Sequence, residues 1–275
     1  MDLNAFSLLF NRALSLTFVK RKLIAVFSIL ALSGLLVVFF RGISLHATHW
    51  VQLSLTFLPI FLTTGVLLST GIFLIRIYHD EVKQKEISYT DTFKRSWELL
   101  IGASYFAIPI ILSYVLLWML LGVFMLLHQT PALGDFFSVV LAFAPFLINL
   151  ATLVLCLISL MLLFYVAPVI AFKGLEKGTV VQSVIRRLEA NPFLNILLFG
   201  LALLPVGIVL AFLSIAAVLT GQLCLDCQTI LQTVLKWFFI MLPFVAFLTP
   251  AIIFFFNFAA EAHVFVQKYI QRSAK

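Results

Sequence analysis

Six continuous apolar runs, separated by short polar segments, make up most of the chain. Each run is about as long as the ~20 residues that a helix needs to cross a hydrocarbon core of roughly 30 Å. Lipid offers no water to the backbone, and the runs lack the alternating polarity of barrel strands, so each run predicts a membrane-spanning helix. The predicted spans are residues 23–40, 51–75, 100–127, 136–172, 194–219 and 233–260.

A shorter segment of mixed polarity precedes each odd-numbered span. In residues 91–99, Phe93 and Trp97 are one turn apart and share a helix face, with charged residues on the other face. Residues 3–18 and 180–190 show similar spacing, which is typical of helices that lie in the membrane interface. A solvated helical loop is the alternative. The predicted fold is therefore an all-α integral membrane protein, one transmembrane domain over 1–275 with three repeats of an interfacial helix plus a helical hairpin.

The segment 180–190 also predicts which side chains face the headgroups. Its apolar residues are Val181, Val184, Ile185 and Leu188, and its polar residues are Gln182, Arg186, Arg187 and Glu189. If the apolar set forms one helix face, the polar set forms the opposite one. We therefore expect Arg186 and Arg187 to lie together on an exposed face.

Composition rules out a soluble domain. The chain is 63% hydrophobic and 11% charged, with a mean hydropathy of +1.17. A soluble domain has roughly a quarter of its residues charged, so this chain cannot cover itself with a polar surface.

The basic residues predict the orientation of the chain. Of the 18 lysines and arginines, all except Arg41 and Lys236 fall on the side of the N-terminus, the even-to-odd loops and the C-terminus. The positive-inside rule therefore places both termini in the cytoplasm, in a bacterial cytoplasmic membrane. The net charge of +7 reflects this bias and does not indicate a nucleic-acid partner.

Two stretches of the sequence resemble a known protein family. They are "DTFKRSWELLIGASYFAIPIILSYVLL" and "QSVIRRLEANPFLNILLFGLALLP", in which a basic helix with apolar or aromatic side chains leads into a span. This phrase resembles the six-span bacterial membrane proteins related to the membrane domain of glycerophosphodiester phosphodiesterases. The resemblance implies an all-helical bundle without catalysis of its own, because the separate soluble catalytic domain of those phosphodiesterases has no counterpart outside the spans.

The cysteine pair Cys224 and Cys227 is the first candidate for chemistry. It lies in the predicted outer loop between the fifth and sixth spans, where a local disulfide or idle thiols are expected. Thiol exchange is an alternative, but the relay would need a second pair and only Cys156 is left. A zinc site is another alternative, with His46 and His49 as the nearby ligands. We expect no metal and no cofactor.

Polar residues within the spans are the second candidate. Asn149 follows Pro145 by one turn, and Asn257 and Glu261 share a face of the last helix. These three residues predict a polar interior. The alternative is a structural role, in which Asn149 pairs with a backbone carbonyl and Asn257 and Glu261 cap the helix end. The fourth run is too long for one straight span, so it must tilt, project beyond the bilayer, or break at Pro145 or Pro168.

The basic interfacial residues are the third candidate. Lys94, Arg95, Arg186 and Arg187 are predicted to contact anionic headgroups, at about 1 kcal/mol per base near the surface, and Trp97 is predicted to anchor at the interface. The sequence has no phosphate-binding glycine loop, HExxH or nucleophile elbow. The prediction is a non-enzymatic inner-membrane protein of envelope homeostasis or scaffolding. A transporter or permease component for a lipid or small solute is the alternative, and an enzyme acting on lipids or thiols is a third.

Overall fold

The computed structural model describes residues 3–45, 47, 49–84, 89–128, 134–221 and 230–273. Within these ranges every regular element is a helix, and six helical segments are long and apolar enough to cross a membrane. The predicted all-helical, multi-pass class is therefore confirmed. The chain follows a helix pattern throughout because each backbone group in hydrocarbon must find its partner within its own segment.

The helices are numbered in chain order. They are α1 Leu3–Ser15, α2 Lys20–Ser44, α3 His49–Val82, α4 Tyr89–Ser104, α5 Ile108–His128, α6 Gly134–Lys173, α7 Lys177–Ala190, α8 Pro192–Gly221 and α9 Ile230–Ser273. The long helices extend past the predicted spans, and α9 shows the largest extension, since its span was predicted to end at residue 260.

The junction between α4 and α5 differs from the prediction. Helix α4 continues to Ser104 and is joined to α5 by a 3-10 turn over Tyr105–Ala107, so the short helix and the span form one nearly continuous segment. Pro109 explains the turn, because proline has no N–H and its ring clashes with the carbonyl four residues earlier. The apolar stretch Ser96–Leu127 accordingly includes the second half of α4.

The long fourth run forms a single helix. Helix α6 contains 40 residues, which corresponds to about 60 Å at 1.5 Å per residue. It does not break at Pro145 or Pro168, so it must tilt or project beyond the hydrocarbon layer. It ends at Gly174, whose φ of 92° lies in the left-handed region that glycine tolerates and whose N–H donates to the Ile170 carbonyl at 3.0 Å.

Helices α3 and α9 form the centre of the bundle. Helix α3 packs against α2, α4, α6 and α9, and α9 packs against α1, α2, α6 and α8. The core between them is rich in phenylalanine. Phe254 and Phe258 stack with ring centroids 5.7 Å apart, and Phe10 of α1 lies 4.9 Å from Phe254. Aromatic pairs of this kind add to the stabilisation from apolar burial.

One end of the bundle contains the buried charges, and we call it the basic end. It is formed by α1, the start of α2, the ends of α3 and α6, helix α7 and the end of α9. Lys22 pairs there with Glu81, joining α2 to α3. Glu261 of α9 accepts a hydrogen bond from the Tyr78 hydroxyl at 2.7 Å and lies 3.5 Å from Arg12 of α1.

The opposite end of the bundle brings the first and last spans together. The Arg41 guanidinium, near the end of α2, lies 4.4 Å from the ring centroid of Trp237, near the start of α9. This cation–π contact joins α2 to α9 at the end of the bundle that lies far from the basic end.

Close packing between α3 and α9 predicts a specific sensitivity. A Cβ added at Gly71 would overlap the ring of Phe256, which is itself buried in the core. We expect Gly71→Ala to lower the free energy of unfolding by about 1–3 kcal/mol through overpacking.

The matched control is Gly207→Ala in α8, where an added Cβ meets nothing within 4 Å. We expect this change to leave stability the same or raise it slightly, because alanine favours the helix. Thermal unfolding in detergent, followed by circular dichroism, compares the two. Equal melting temperatures for both variants would contradict the packing described between α3 and α9.

Candidate functional site

A cavity of about 410 Å³ opens at the basic end between the end of α6, helix α7 and the end of α9. We call it the basic cavity. Its polar lining includes Lys173, Ser183, Arg186, Arg187, His263 and Gln267. All the charged side chains in its described lining are bases. The electrostatic potential inside such a cavity favours an anion.

Helix α7 packs on the bundle by part of its predicted apolar face, together with Val180. Val180 is buried, and Val184 and Leu188 pack against the same core cluster. Arg187 follows Val184 by three positions, so it lies on this inward face.

The prediction that Arg187 lies on the exposed polar face of this segment is therefore wrong. Arg187 is 3% exposed, whereas Val181 and Ile185 are 50% and 48% exposed. Arg186 is exposed as predicted, but Arg187 is not beside it on the outer surface. The Arg187 side chain points inward, where Asn195 of α8 and His263 of α9 provide polar partners.

Arg187 is held by two side chains. Its Nε donates to Asn195 Oδ1 at 3.1 Å, and its Nη1 lies 3.3 Å from His263 Nδ1. Its guanidinium carbon also lies 5.0 Å from the ring centroid of Tyr165 and 5.4 Å from that of Phe164. These contacts fix the guanidinium in one orientation at the wall of the basic cavity.

Asn195 joins α8 to α7. Its Nδ2 donates to the Arg187 carbonyl at 2.7 Å and to the Asn191 carbonyl at 2.9 Å, while its Oδ1 accepts from Arg187 Nε. The Asn195 carbonyl accepts from the Tyr165 hydroxyl at 3.0 Å. Asn195 therefore satisfies both the backbone and the side chain of the buried base.

Two buried nitrogens in this cluster lack a hydrogen-bond partner among the described residues. They are Arg187 Nη2 and His263 Nε2. Arginine can only donate, so His263 Nδ1 accepts and Nε2 carries the ring hydrogen. Leaving a buried donor unpaired costs about 1–3 kcal/mol, and more for a charged group. Both residues line the basic cavity.

Arg187 remains charged at neutral pH despite its burial. Burial lowers the pKa of the Arg187 guanidinium to about 10, partly offset by the nearby Tyr165. At pH 7 the side chain is still almost fully protonated. The buried base is therefore a fixed positive charge with an unused donor.

Two exposed bases flank the buried one. Lys173, at the end of α6, donates from Nζ to Ser183 Oγ at 3.1 Å, and Arg186 extends from α7. The positive charge therefore continues from the buried wall of the cavity to its exposed rim.

The structure places the basic residues of α4 elsewhere. Lys94 is exposed, and Arg95 lies within α4, although its side chain is outside the described part of the structure. Trp97 is 51% exposed and packs on Phe93 with ring centroids 5.2 Å apart. It lines a different, mostly apolar groove of about 630 Å³ between α2, α3 and α4.

The predicted polar interior residues are distributed over two regions. Asn257 is fully buried and donates from Nδ2 to the Ala13 carbonyl at 3.3 Å, and Glu261 pairs as described above. Both hold α1 against α9, and neither is a helix-end cap because α9 continues to Ser273. Asn149 is half-buried on α6, well away from the basic end.

The predicted cysteine site lies outside the described residues. Cys224 and Cys227 fall in residues 222–229, so their pairing stays a prediction, as does a role for His46. Cys156 is a half-buried free thiol on α6.

The sequence did not predict Lys173 and Asn195 as site residues, nor the contact of His263 with Arg187. The signal for Asn195 was available, because it is a polar residue within an apolar run. A buried amide of this kind needs partners, and Arg187 is close enough along the chain to provide one.

Comparisons with protein-family models, curated proteins and solved structures found no match. The resemblance to the membrane domain of glycerophosphodiester phosphodiesterases therefore stays a prediction, and the site is interpreted from its own chemistry.

The Asn195 contacts predict a large effect on stability. We expect Asn195→Ala to lower the free energy of unfolding by about 1–3 kcal/mol, because it leaves a charged donor and a backbone carbonyl unpaired in the interior. Gln182→Ala on the exposed side of α7 is the control and should be nearly neutral. Denaturant unfolding in detergent measures both. A neutral Asn195→Ala would show that Arg187 does not depend on this amide.

Proposed function

We propose that the chain is a non-enzymatic, multi-pass protein of the bacterial cytoplasmic membrane that binds anionic lipids at its basic end. In this role it acts in membrane or envelope homeostasis, or as a membrane scaffold. The observation that carries the proposal is the basic cavity, in which a buried guanidinium keeps one nitrogen unpaired among the described residues. A charged donor in such a place is stabilised by an anion.

The location of the cavity supports a lipid ligand. Lys173 is the last residue of the apolar stretch Phe146–Lys173, which supports a position of the cavity near the edge of the hydrocarbon layer. Lipid phosphates occupy this level of a bilayer. Bases at this depth bind anionic headgroups by charge while their stems stay in the apolar region.

The three-repeat architecture is part of the proposal. Helices α1, α4 and α7 each precede a pair of long helices. Their exposed apolar side chains support contact with acyl chains; examples are Leu8 on α1, Phe93 and Trp97 on α4, and Ile185 on α7. A helix with such a face beside exposed polar residues lies stably in a membrane interface. The relation to the membrane domain of glycerophosphodiester phosphodiesterases belongs to the same proposal.

The interior supports a role other than transport. Phe164 packs against Phe199 and Phe255, and Phe254 stacks on Phe258, so aromatic rings fill the space beside α9. A permease would have to part these rings to pass a solute. The basic cavity, in contrast, lies at one end of the bundle and can bind a ligand without such a movement.

The proposed orientation predicts which loops can be labelled from outside. We expect Gln129→Cys, between the third and fourth spans, to react with a membrane-impermeant maleimide in spheroplasts. Gln182→Cys on α7 should react only after the membrane is disrupted. Both are made in a chain whose three cysteines are replaced by serine. Labelling of Gln182→Cys alone in intact spheroplasts would invert the topology and contradict the proposal.

Lipid preference tests the proposed function itself. Native mass spectrometry of the protein from mixed micelles should show several-fold more bound phosphatidylglycerol than phosphatidylcholine. We expect Lys173→Gln combined with Arg186→Gln to reduce this preference, because each base contributes about 1 kcal/mol near an anionic surface.

The control removes the same number of charges at the opposite end, by Arg41→Gln with Lys236→Gln. It should leave the preference unchanged. A wild-type protein that bound the two lipids equally would refute the proposed function.

A further inference from the structure

The unpaired donors of the basic cavity indicate the class of ligand more narrowly. Arg187 Nη2 and His263 Nε2 are both buried, both without a hydrogen-bond partner among the described residues, and both belong to residues that line the cavity. Arg187 Nη1 already engages His263 Nδ1, so the two side chains are locked side by side. His263 Nε2 faces away from the guanidinium, because the two nitrogens of an imidazole ring point to opposite sides, so a ligand beside Arg187 accepts from Nη2 and from the flanking bases.

We infer that the basic cavity is a binding site for a terminal phosphate group, a phosphomonoester, in preference to the phosphodiester of common membrane lipids. The inference rests on the proposed function, because it names the ligand chemistry of the same site. A phosphomonoester presents three terminal oxygens and about −1.5 to −2 charges at pH 7. A phosphodiester within a lipid presents two free oxygens and a single charge.

The charge of the site matches the higher charge of a monoester. Lys173, Arg186 and Arg187 contribute three positive charges, and no acidic side chain is found in the described lining. The nearby acid Glu176 accepts from the Thr179 hydroxyl at 2.6 Å and has an exposed side chain. Three cations around a single negative charge would leave excess positive charge in a partly desolvated cavity, which a doubly charged group offsets.

The neutral groups of the cavity complete a phosphate site. Ser183 accepts from Lys173 Nζ, so its own hydroxyl hydrogen can donate to a ligand, and the amides of Gln182 and Gln267 add further donors. The volume of about 410 Å³ exceeds that of a phosphate alone and lies in the range of small-molecule sites. The cavity has room for a phosphate carried on a larger body, either a lipid or a soluble phosphate ester.

The test compares monoester and diester lipids on the full-length protein. Native mass spectrometry measures binding of phosphatidic acid, phosphatidylglycerol and phosphatidylcholine from equimolar mixed micelles. We expect phosphatidic acid to exceed phosphatidylglycerol about tenfold, the effect of one additional charge-assisted hydrogen bond. Glycerol 3-phosphate is added as a soluble competitor. Displacement of phosphatidic acid by millimolar glycerol 3-phosphate supports a soluble ester as the ligand. Retention of bound phosphatidic acid supports a lipid. Both results uphold the phosphate site.

The variants separate the inference from general charge attraction. Arg187→Lys keeps the charge but loses the fork of donors, so the preference for the monoester should fall while binding of anionic lipids persists. Lys173→Gln with Arg186→Gln changes only exposed or rim side chains, so it should fold even if Arg187→Lys does not. It should reduce phosphatidic acid binding more than phosphatidylglycerol binding. Arg41→Gln with Lys236→Gln is the control at the opposite end.

Two outcomes would overturn the inference. If phosphatidic acid and phosphatidylglycerol bind equally and both exceed phosphatidylcholine, the preference for a monoester is refuted and the proposed function stands. If neither exceeds phosphatidylcholine, the inference and the proposed function both fail.

Discussion

Charged side chains that enter this apolar bundle must find partners, and the pairings at the basic end hold its helices together. Lys22 and Glu81 join α2 to α3, and Glu261 links Tyr78 of α3 and Arg12 of α1 to α9. Arg76 of α3 donates from Nε to the Ala171 carbonyl of α6 at 3.3 Å. An unpaired ion in the interior costs several kcal/mol, so these contacts favour one arrangement of the helices beyond what their apolar packing provides.

Arg187 departs from the pattern that buried charges are fully paired. It is as buried as the paired charges, yet the described residues satisfy only part of its guanidinium. Asn195, Tyr165 and His263 fix its position, and the flanking bases leave it facing a cavity with positive charge. A side chain that is held in one position and keeps a donor without a partner among the described residues supports the proposed ligand site.

The sequence predicts the architecture because the apolar runs and the one-sided bases follow from the bilayer alone. It does not predict the orientation of α7, because Val180, Val184 and Leu188 are as apolar as Val181 and Ile185 and a single helix offers both faces. Packing decides between them. The partners that draw Arg187 inward are on α8 and α9, and His263 is 76 positions away in the chain. Pro109 accounts for the 3-10 turn over Tyr105–Ala107, but it was not used to predict a break between α4 and α5.

The proposed phosphate site requires that the Arg187 guanidinium binds a phosphate group in the bilayer. Solid-state NMR can measure the dipolar coupling between isotopically labelled guanidinium nitrogens and lipid phosphorus in proteoliposomes that contain phosphatidic acid. Direct binding predicts strong dephasing of the Arg187 resonance by phosphorus, at a separation typical of a direct hydrogen bond. An Arg187 resonance that is assigned, well ordered and not dephased by phosphorus would contradict it.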